Sequence, residues 1–306
     1  MERQVELRPP TLDDLPTLAA FSLRLRELYD VSAPSEAQFR DMLTSTRTKP
    51  DENYRVALDR DELAGWVTVW WPKPGADRII VNLHAHPREP ETYVALLEWA
   101  EERGRELAAG QRIDVYAGGA SDDDVVADVL CNRGYQLVRH FFRMSIDLDH
   151  ELPEPMWPDG IDVRQFEPGD ARAVFDADME AFQDHWGFFE VPFEEWHEHF
   201  LASSDFDPTL WFLALAGSEV AGFSLCRSER RPNTGHVNVL GVRRPWRRRG
   251  LATALLQHSF HEFRRRGRVA ADLNVDGENT TGAVALYERA GMHVVQRDDA
   301  YRRVLE

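Results

Sequence analysis

The sequence predicts a mixed α/β protein, an α+β arrangement around mixed sheets, built from two tandem copies of one fold. The first observation is an internal repeat at a nearly constant offset of 156 to 157 residues, which indicates duplication of a whole unit. The second is that both copies have the same order of predicted elements, with hairpins first and strand–helix–strand units later. The matching segments are 5–8 with 161–164, 63–67 with 220–224, and 132–135 with 289–292.

The length of 306 residues fits two domains of about 150 residues each. We place an N-terminal domain at residues 1–150 and a C-terminal domain at residues 161–306. The segment between them, 151–160, has three prolines and ends on Gly160, which is typical of a stiff linker.

Apolar periodicity and turn residues place the elements of each copy in order. A short strand leads into a helical region, a hairpin closed by a polar turn follows, and strand–helix units complete the copy. The best-defined helix, at 251–266, has Ala252, Leu255, Leu256, Phe260 and Phe263 on one apolar stripe, with glycine just past its end. The predicted elements are helical regions at 12–28 and 171–201, hairpins at 54–59 with 62–70 and 211–216 with 219–224, strands at 236–242, 270–275 and 292–296, and helices at 251–266 and 283–289.

Composition excludes several classes of protein. The chain is 43% hydrophobic and 29% charged with a net charge of −17, which argues against a disordered chain and against a general nucleic-acid binder. No run approaches the ~18 apolar residues of a membrane span, and residues 1–4 lack the pattern of a secretory signal. Two cysteines cannot form a disulfide scaffold. We therefore expect a cytoplasmic protein with neither nucleic acid nor membrane as a partner; the oligomeric state is open, and a monomer is compatible with the sequence.

One stretch of this acidic chain is strongly basic. Nine arginines fall between Arg243 and Arg268, which favours a small anionic ligand over a polymer. The alternative is that these side chains only solvate a loop and a helix end.

Residues 239–252 have the pattern of a phosphate-binding turn. A strand is predicted to end near Val242 and a helix to begin near Gly250, and a helix start presents unpaired N–H groups and partial positive charge. Small side chains at Gly250 and Ala252 allow a phosphate to approach the backbone. An ordinary loop in which Gly250 only aids the turn is the alternative.

Residues 247–252 (Arg-Arg-Arg-Gly-Leu-Ala) resemble the acyl-CoA signature Q/R-x-x-G-x-G/A of the GNAT acetyltransferase superfamily. A second landmark of that family, an asparagine followed by Leu-Tyr and then Gly with an apolar residue, is matched by Asn279, Leu286-Tyr287 and Gly291-Met292. The resemblance covers the second copy and, through the repeat, the whole chain. The tandem arrangement is similar to two-domain GNAT proteins of actinobacteria.

The resemblance implies an acetyl-CoA-dependent N-acetyltransferase that transfers the acetyl group directly to a primary amine of a small molecule, with the C-terminal domain active. Tyr287 would protonate the leaving thiolate, and Asn279 would bind the pantetheine arm unless it only caps the helix at Ala283. Acetyl-CoA is the implied cosubstrate and no metal is expected, since no histidine pair has a third ligand. The cofactor-binding residues implied are Leu240, Gly241, Val242, Arg247, Arg248, Arg249, Gly250, Leu251, Ala252 and Asn279.

The general base is not evident from the sequence. Asn238 stands near the position where many family members have a carboxylate, and asparagine cannot take a proton. His236 shares its predicted strand face and is a candidate base. Other candidates, grouped as substrate-binding residues with Asn238, lie in an aromatic-rich loop after the first helix of copy two: Asp184, His185, Trp186 and Glu190. The aromatics of this loop could instead fill the core.

The first copy departs from the family pattern. Its counterpart of the phosphate-binding turn, residues 83–92, has no glycine and carries Glu89 and Glu91, which would repel a diphosphate. Val129-Leu130 replaces the Leu-Tyr pair. We expect this copy to keep the fold without the catalysis. Three alternatives for the whole chain remain: acetylation of a cysteinyl amino sugar, a non-catalytic acyl-CoA-binding or regulatory protein, and N-acetylation of proteins, which an acidic surface could support by attracting basic peptides.

Overall fold

A computed structural model of the chain describes residues 5–73, 75–86, 89–279 and 281–306, with only the backbone at Glu229. Residues 1–4, Pro87, Arg88 and Thr280, which belong to segments considered above, lie outside these ranges. The chain divides into two compact units, Met1–Phe141 with Arg297–Glu306, and Phe142–Gln296.

The first unit is a mixed sheet covered by helices. Its strand order is β1-β2-β3-β4-β5-β12, antiparallel except for the parallel pair β4 and β5. Its elements are β1 Glu6–Arg8, α1 Leu15–Tyr29, α2 Glu36–Thr44, α3 Pro50–Asn53, β2 Tyr54–Asp59, β3 Glu62–Trp70, β4 Arg78–Ala85, α4 Pro90–Ala108, β5 Ile113–Ala120, α5 Asp124–Asn132, and the first part of β6 Gln136–Asp147.

The second unit repeats this plan. Its strand order is β6-β11-β10-β9-β8-β7, with β10 and β11 parallel. Its elements are β7 Asp162–Gln165, α6 Ala171–Phe182, α7 Phe193–Phe200, β8 Trp211–Ala216, β9 Glu219–Arg231, β10 Thr234–Val242, α8 Leu251–Arg265, β11 Ala270–Asp276, α9 Ala283–Arg289, and the first part of β12 His293–Leu305. The predicted mixed α/β class is confirmed, and the helical region 171–201 is two helices, α6 and α7.

The compact units differ from the expected domain boundaries at two places. The last residues of the chain belong to the first unit, because Asp298–Leu305 of β12 pair with β5. The first unit also ends earlier, inside β6. The expected linker packs on the second unit, since Leu152 is buried in its core, and Leu148, just before the linker, donates its N–H to Val269 O at 2.8 Å. Long-range strand pairing, which local composition does not report, sets these limits.

Helix α8 packs on the sheet of the second unit as its apolar stripe predicts. Leu255, Leu256, Phe260 and Phe263 are buried in the core beside β10 and β11. Ala252, the first member of the predicted stripe, is only half-buried because it lies at the exposed start of the helix. Among helices of the described ranges, none is both long and apolar enough to cross a bilayer.

Strands β10 and β11 separate towards their carboxyl ends. They pair in parallel only at Thr234–His236 with Ala270–Asp272, whereas β10 continues to Val242 and β11 to Asp276. The separation leaves main-chain groups at the end of β10 open to the space between the strands, and this space is where the candidate site lies.

Candidate active site

A cleft of about 590 Å³ opens in the second unit where β10 and β11 separate. Five parts of the unit line it: the end of α6 with the loop after it, the last residues of β10, the turn before α8, the start of α8, and α9 with the residues just before it. It is large enough to hold most of a cofactor-sized ligand.

The start of α8 presents unpaired amides to this cleft. Gly250, the N-cap, has φ +84°, and a Cβ built there meets nothing within 4 Å. The first intrahelical bond runs from Ala254 N to Gly250 O at 3.0 Å, so the N–H groups of Leu251, Ala252 and Thr253 precede the helical ladder. All three residues line the cleft. This geometry suits an anion.

Three arginines of the basic turn hold the turn itself. Arg243 donates to Glu180 at 2.6 Å, and Arg244 binds both oxygens of Asp184 at 2.7 and 2.8 Å. Arg247 lines the cleft but donates to the carbonyl oxygens of Val242 at 3.0 Å and Ala181 at 2.9 Å. The end of α6 therefore fixes the turn in front of α8.

Two other arginines of the cleft form no ion pair with a described carboxylate. Arg248, in the left-handed region at φ +62°, and Arg289 at the end of α9 both line the cleft. Neither has a carboxylate partner among the described residues. Arg249 is exposed and outside the cleft lining. Of the three arginines of the signature, two therefore line the cleft and one does not.

The residues expected to face a thioester carbonyl, Leu240, Gly241 and Val242, lie at the open end of β10 and line the cleft. Across from them on α9, Tyr287 is half-buried, and burial raises the pKa of its hydroxyl to about 12. The phenol is therefore protonated at neutral pH and can act as a proton donor.

Asn279 organises the turn before α9. Its Oδ1 accepts from Thr281 N at 2.7 Å and from the Thr281 hydroxyl, and its own N–H donates to Asp276 O at 3.1 Å. The helix N-cap is Gly282, at φ +78°. Asn279 is outside the cleft lining. Its contacts stabilise the loop before α9, from which Gly282 and Ala283 line the cleft.

Neither polar candidate on β10 reaches the cleft. His236 is 2% exposed, with Nδ1 at 2.7 Å from Asp272 Oδ1, and it precedes Leu240 by four residues, about 13 Å along a strand. Burial lowers the pKa of its imidazole to about 4. Asn238 lines a water-sized pocket with Asp205 and Arg227.

The loop after α6 contributes one titratable residue to the cleft. His185 is half-buried, and its ring lies 4.5 Å from the ring of Phe182. Asp184 is taken by its ion pair with Arg244, which holds the pKa of that carboxyl below its usual range. Trp186, 41% exposed, and Glu190 lie outside the cleft lining.

Comparison with known proteins identifies this arrangement. The acetyltransferase (GNAT) family matches residues 171–292. A GCN5-related N-acetyltransferase from Sphaerobacter thermophilus is 31% identical, with 99% of this chain and 96% of that chain covered at a TM-score of 0.76. The chain belongs to the acetyltransferase (GNAT) family.

Two further relatives extend the GNAT likeness to the whole chain. The mycothiol acetyltransferase of Streptomyces coelicolor is 29% identical over 310 residues, covering 99% of this chain and 94% of that protein. A tandem GNAT protein from the clavulanic acid biosynthesis pathway is 16% identical and covers 98% of both chains at a TM-score of 0.71, a likeness of fold alone. The predicted tandem GNAT fold and the N-acetyltransferase class are confirmed.

Sequence reasoning missed several residues of the GNAT cleft. Phe182 and Trp246 supply apolar wall, and Thr253 adds a hydroxyl in the first turn of α8. Arg289 could have been found, because it follows Gly282 by seven residues and Leu286 by three and so shares their helix face. Within the described ranges, no three His, Cys, Asp or Glu side chains are grouped as metal ligands would be.

Proposed function

We propose that the second unit binds acetyl-CoA and transfers its acetyl group directly to a primary amine of a small molecule. One observation carries this proposal: the open start of α8 shares a cleft with the free end of β10 and with Tyr287. An anion site, a carbonyl-facing backbone and a proton donor are the three groups that acyl transfer from a diphosphate-bearing thioester requires.

The residues present fit acetyl-CoA. Amides 251–253 and Arg248 supply hydrogen-bond donors for the diphosphate, and the absence of a Cβ at Gly250 leaves room for it. Arg289 supplies a second cation, suited to a further phosphate of the carrier. Leu240, Val242 and Leu286 give apolar walls for the pantetheine arm.

The chain's own groups divide the chemistry between them. A main-chain N–H at Leu240 to Val242 stabilises the negative charge that develops on the thioester oxygen. Tyr287 donates a proton towards the sulfur as the carbon–sulfur bond breaks. The walls from α6, α8 and α9 exclude water, which strengthens both interactions.

The first unit differs from the second at the counterpart of the anion site, which supports placing the acetyl transfer in the second unit. At the repeat offset of 157, Tyr93 corresponds to Gly250. The counterpart of Leu251, the first residue of α8, is residue 94. Helix α4 begins four residues earlier, at Pro90. The Tyr93 hydroxyl donates to Ala85 O at 3.1 Å and closes the gap between strand end and helix. A helix turn therefore fills the place that a diphosphate would need, and we infer one acetyl-CoA site per chain.

A narrower acceptor is favoured by the relative named mycothiol acetyltransferase, which aligns over nearly the whole chain. We propose a cysteinyl amino sugar, the narrower acceptor that the sequence resemblance implies, as the second candidate within the same reaction class.

The test combines binding and turnover. Titration calorimetry with acetyl-CoA should give one site per chain, and thiol release should be measured across amines that include amino sugars, a cysteinyl amino sugar and peptide N-termini. Release with small amines supports the proposal, and a strong preference for the cysteinyl amino sugar selects the narrower candidate. Binding without release for any amine would instead identify a non-catalytic acyl-CoA-binding protein.

A further inference from the structure

Direct transfer requires a group that takes a proton from the amine, and the cleft offers few. Its titratable side chains among the described residues are His185, Tyr287 and three arginines. Arginine stays charged and has no acceptor. Tyr287 already carries its proton at neutral pH. His185 is the one described cleft side chain whose neutral form offers a lone pair that can take a proton from an amine.

The other candidates are placed away from the cleft or are committed. His236 is buried with its Nδ1 against Asp272. Asp184 holds Arg244 through both oxygens. Glu190 is exposed and outside the cleft lining. Of the candidate bases among the described residues, His185 alone lies in the same cleft as Tyr287 and the end of β10.

The protein holds His185 in place through its neighbours. The backbone N–H of His185 donates to Phe182 O at 2.8 Å, which continues the last turn of α6, and the ring packs beside Phe182. The preceding residue is tied to the basic turn by the Asp184–Arg244 pair. The imidazole is therefore kept on the cleft wall rather than free in a loop.

Three charged side chains act on the His185 imidazole. Asp276 at the end of β11 and Asp184, the residue before His185, favour its protonated form, whereas burial and the cation of Arg247 disfavour it. Burial is the largest of these effects, and the pKa of the imidazole is lowered. The ring is neutral near pH 7 and ready to accept a proton.

We propose that His185 is the general base of the acetyl transfer. The inference rests on the proposed function. An acceptor arriving as R–NH₃⁺ gives one proton to the His185 imidazole, and the freed lone pair attacks the thioester carbonyl carbon. The carbon–nitrogen bond forms and the carbon–sulfur bond breaks. Tyr287 gives its proton to the sulfur and takes the second proton from the nitrogen. His185 then releases the first proton to solvent. The products are the amide, the free thiol and one proton.

The test is the His185→Gln variant with acetyl-CoA and the best amine found for the wild type. We expect kcat to fall by about 100-fold or more, with the Kd for acetyl-CoA within about twofold of the wild-type value. The acidic limb of the kcat/KM profile, with an inflection below the ordinary histidine value of about 6.5, should disappear. His197→Gln is the matched control, since His197 is an exposed histidine on α7 outside the cleft lining.

A second variant separates chemistry from folding. His185→Ala should regain a part of its activity when imidazole is added, whereas His197→Ala should not respond to imidazole. Full activity of His185→Gln with an unchanged acidic limb would overturn the base assignment alone. Loss of activity without loss of that limb, and without imidazole rescue, would also overturn it in favour of a structural role. A wild-type protein that releases no thiol with any amine would overturn both this inference and the proposed function.

Discussion

Phe223 of β9 lies directly against Gly241 of β10, so that a Cβ on Gly241 would come within 2.3 Å of Phe223 Cζ. The first unit has a different pair at the equivalent positions, where Trp66 stacks on His84 at 4.1 Å between ring centroids. Glycine in the second unit lets a buried ring cover the end of β10. The ring of Phe223 therefore packs against the main chain of residues 240–242, which lines the cleft.

Replacing Gly241 by alanine should destabilise the protein, since Phe223 is fully buried and has little room to move. Overpacking of this kind costs about 1–3 kcal/mol. Gly169→Ala is the matched control, because a Cβ there meets nothing within 4 Å and its φ is not in the left-handed region. Urea denaturation of both variants measures the difference. Equal free energies of unfolding for the two variants would contradict the contact.

The two glycines that flank α8 allow the anion site to be tested separately from backbone strain. Gly250 and Gly267 have φ of +84° and +77°, and at both a Cβ meets nothing within 4 Å. Only Gly250 lines the cleft. Valine at either position should cost similar stability, but Gly250→Val should weaken acetyl-CoA binding at least tenfold, because its side chain projects where the diphosphate would lie. Calorimetric titration checks this, and similar affinities for both variants would remove the site from the start of α8.

The start of α8 could be predicted because its signal is local. The turn, the glycine and the apolar stripe lie in one run of sequence, and the structure forms them as predicted. The roles of Arg247 and His236 could not be predicted in the same way. Arg247 donates to the carbonyl of Ala181, distant in sequence, and His236 faces Asp272 on a neighbouring strand. Their surroundings are fixed by strand pairing and by the packing of α6, which sequence periodicity does not report.

Tyr287→Phe should lower turnover while leaving acetyl-CoA affinity almost unchanged. The ring would still fill the wall of α9, but the proton donor for the leaving sulfur would be lost. We expect kcat to fall by about 100-fold at constant Kd for acetyl-CoA. Steady-state kinetics with calorimetry separate the two quantities. An unchanged kcat would assign protonation of the sulfur to water or another group.

The C-terminal strand of the chain is fastened into the first unit by a buried carboxylate. Glu101 of α4 is 1% exposed and accepts from Arg133 at 2.8 Å and from Arg303 of β12 at 2.8 Å. Glu101→Gln removes the charge: Arg303 loses its carboxylate partner, and Arg133 keeps only its contact with the exposed Glu98 at 2.9 Å, which costs about 3 kcal/mol. Hydrogen exchange at the β5 and β12 amides should accelerate. Glu102→Gln, at an exposed position on the same helix, is the control and should change neither exchange nor unfolding by more than about 0.5 kcal/mol.

Asp178 makes the stability of the second unit depend on pH. It is 6% exposed on α6 and accepts from Trp196 Nε1 at 2.8 Å, and burial raises the pKa of its carboxyl to about 6. The unfolded value is about 4, so below pH 4 the carboxyl is protonated in both states and burying it carries no charge penalty. Between about pH 4 and 6 the carboxyl ionises in the unfolded state first. The free energy of unfolding therefore falls over this range, by on the order of 3 kcal/mol in total. Asp178→Asn keeps an oxygen for the indole N–H and removes the charge. We expect this variant to be more stable at pH 7, with a smaller change in unfolding free energy between pH 4 and 7. Asp176→Asn, exposed on the same helix, should keep the wild-type dependence in the same urea titrations. A less stable Asp178→Asn at pH 7 would mean that the carboxylate is held by a compensating charge.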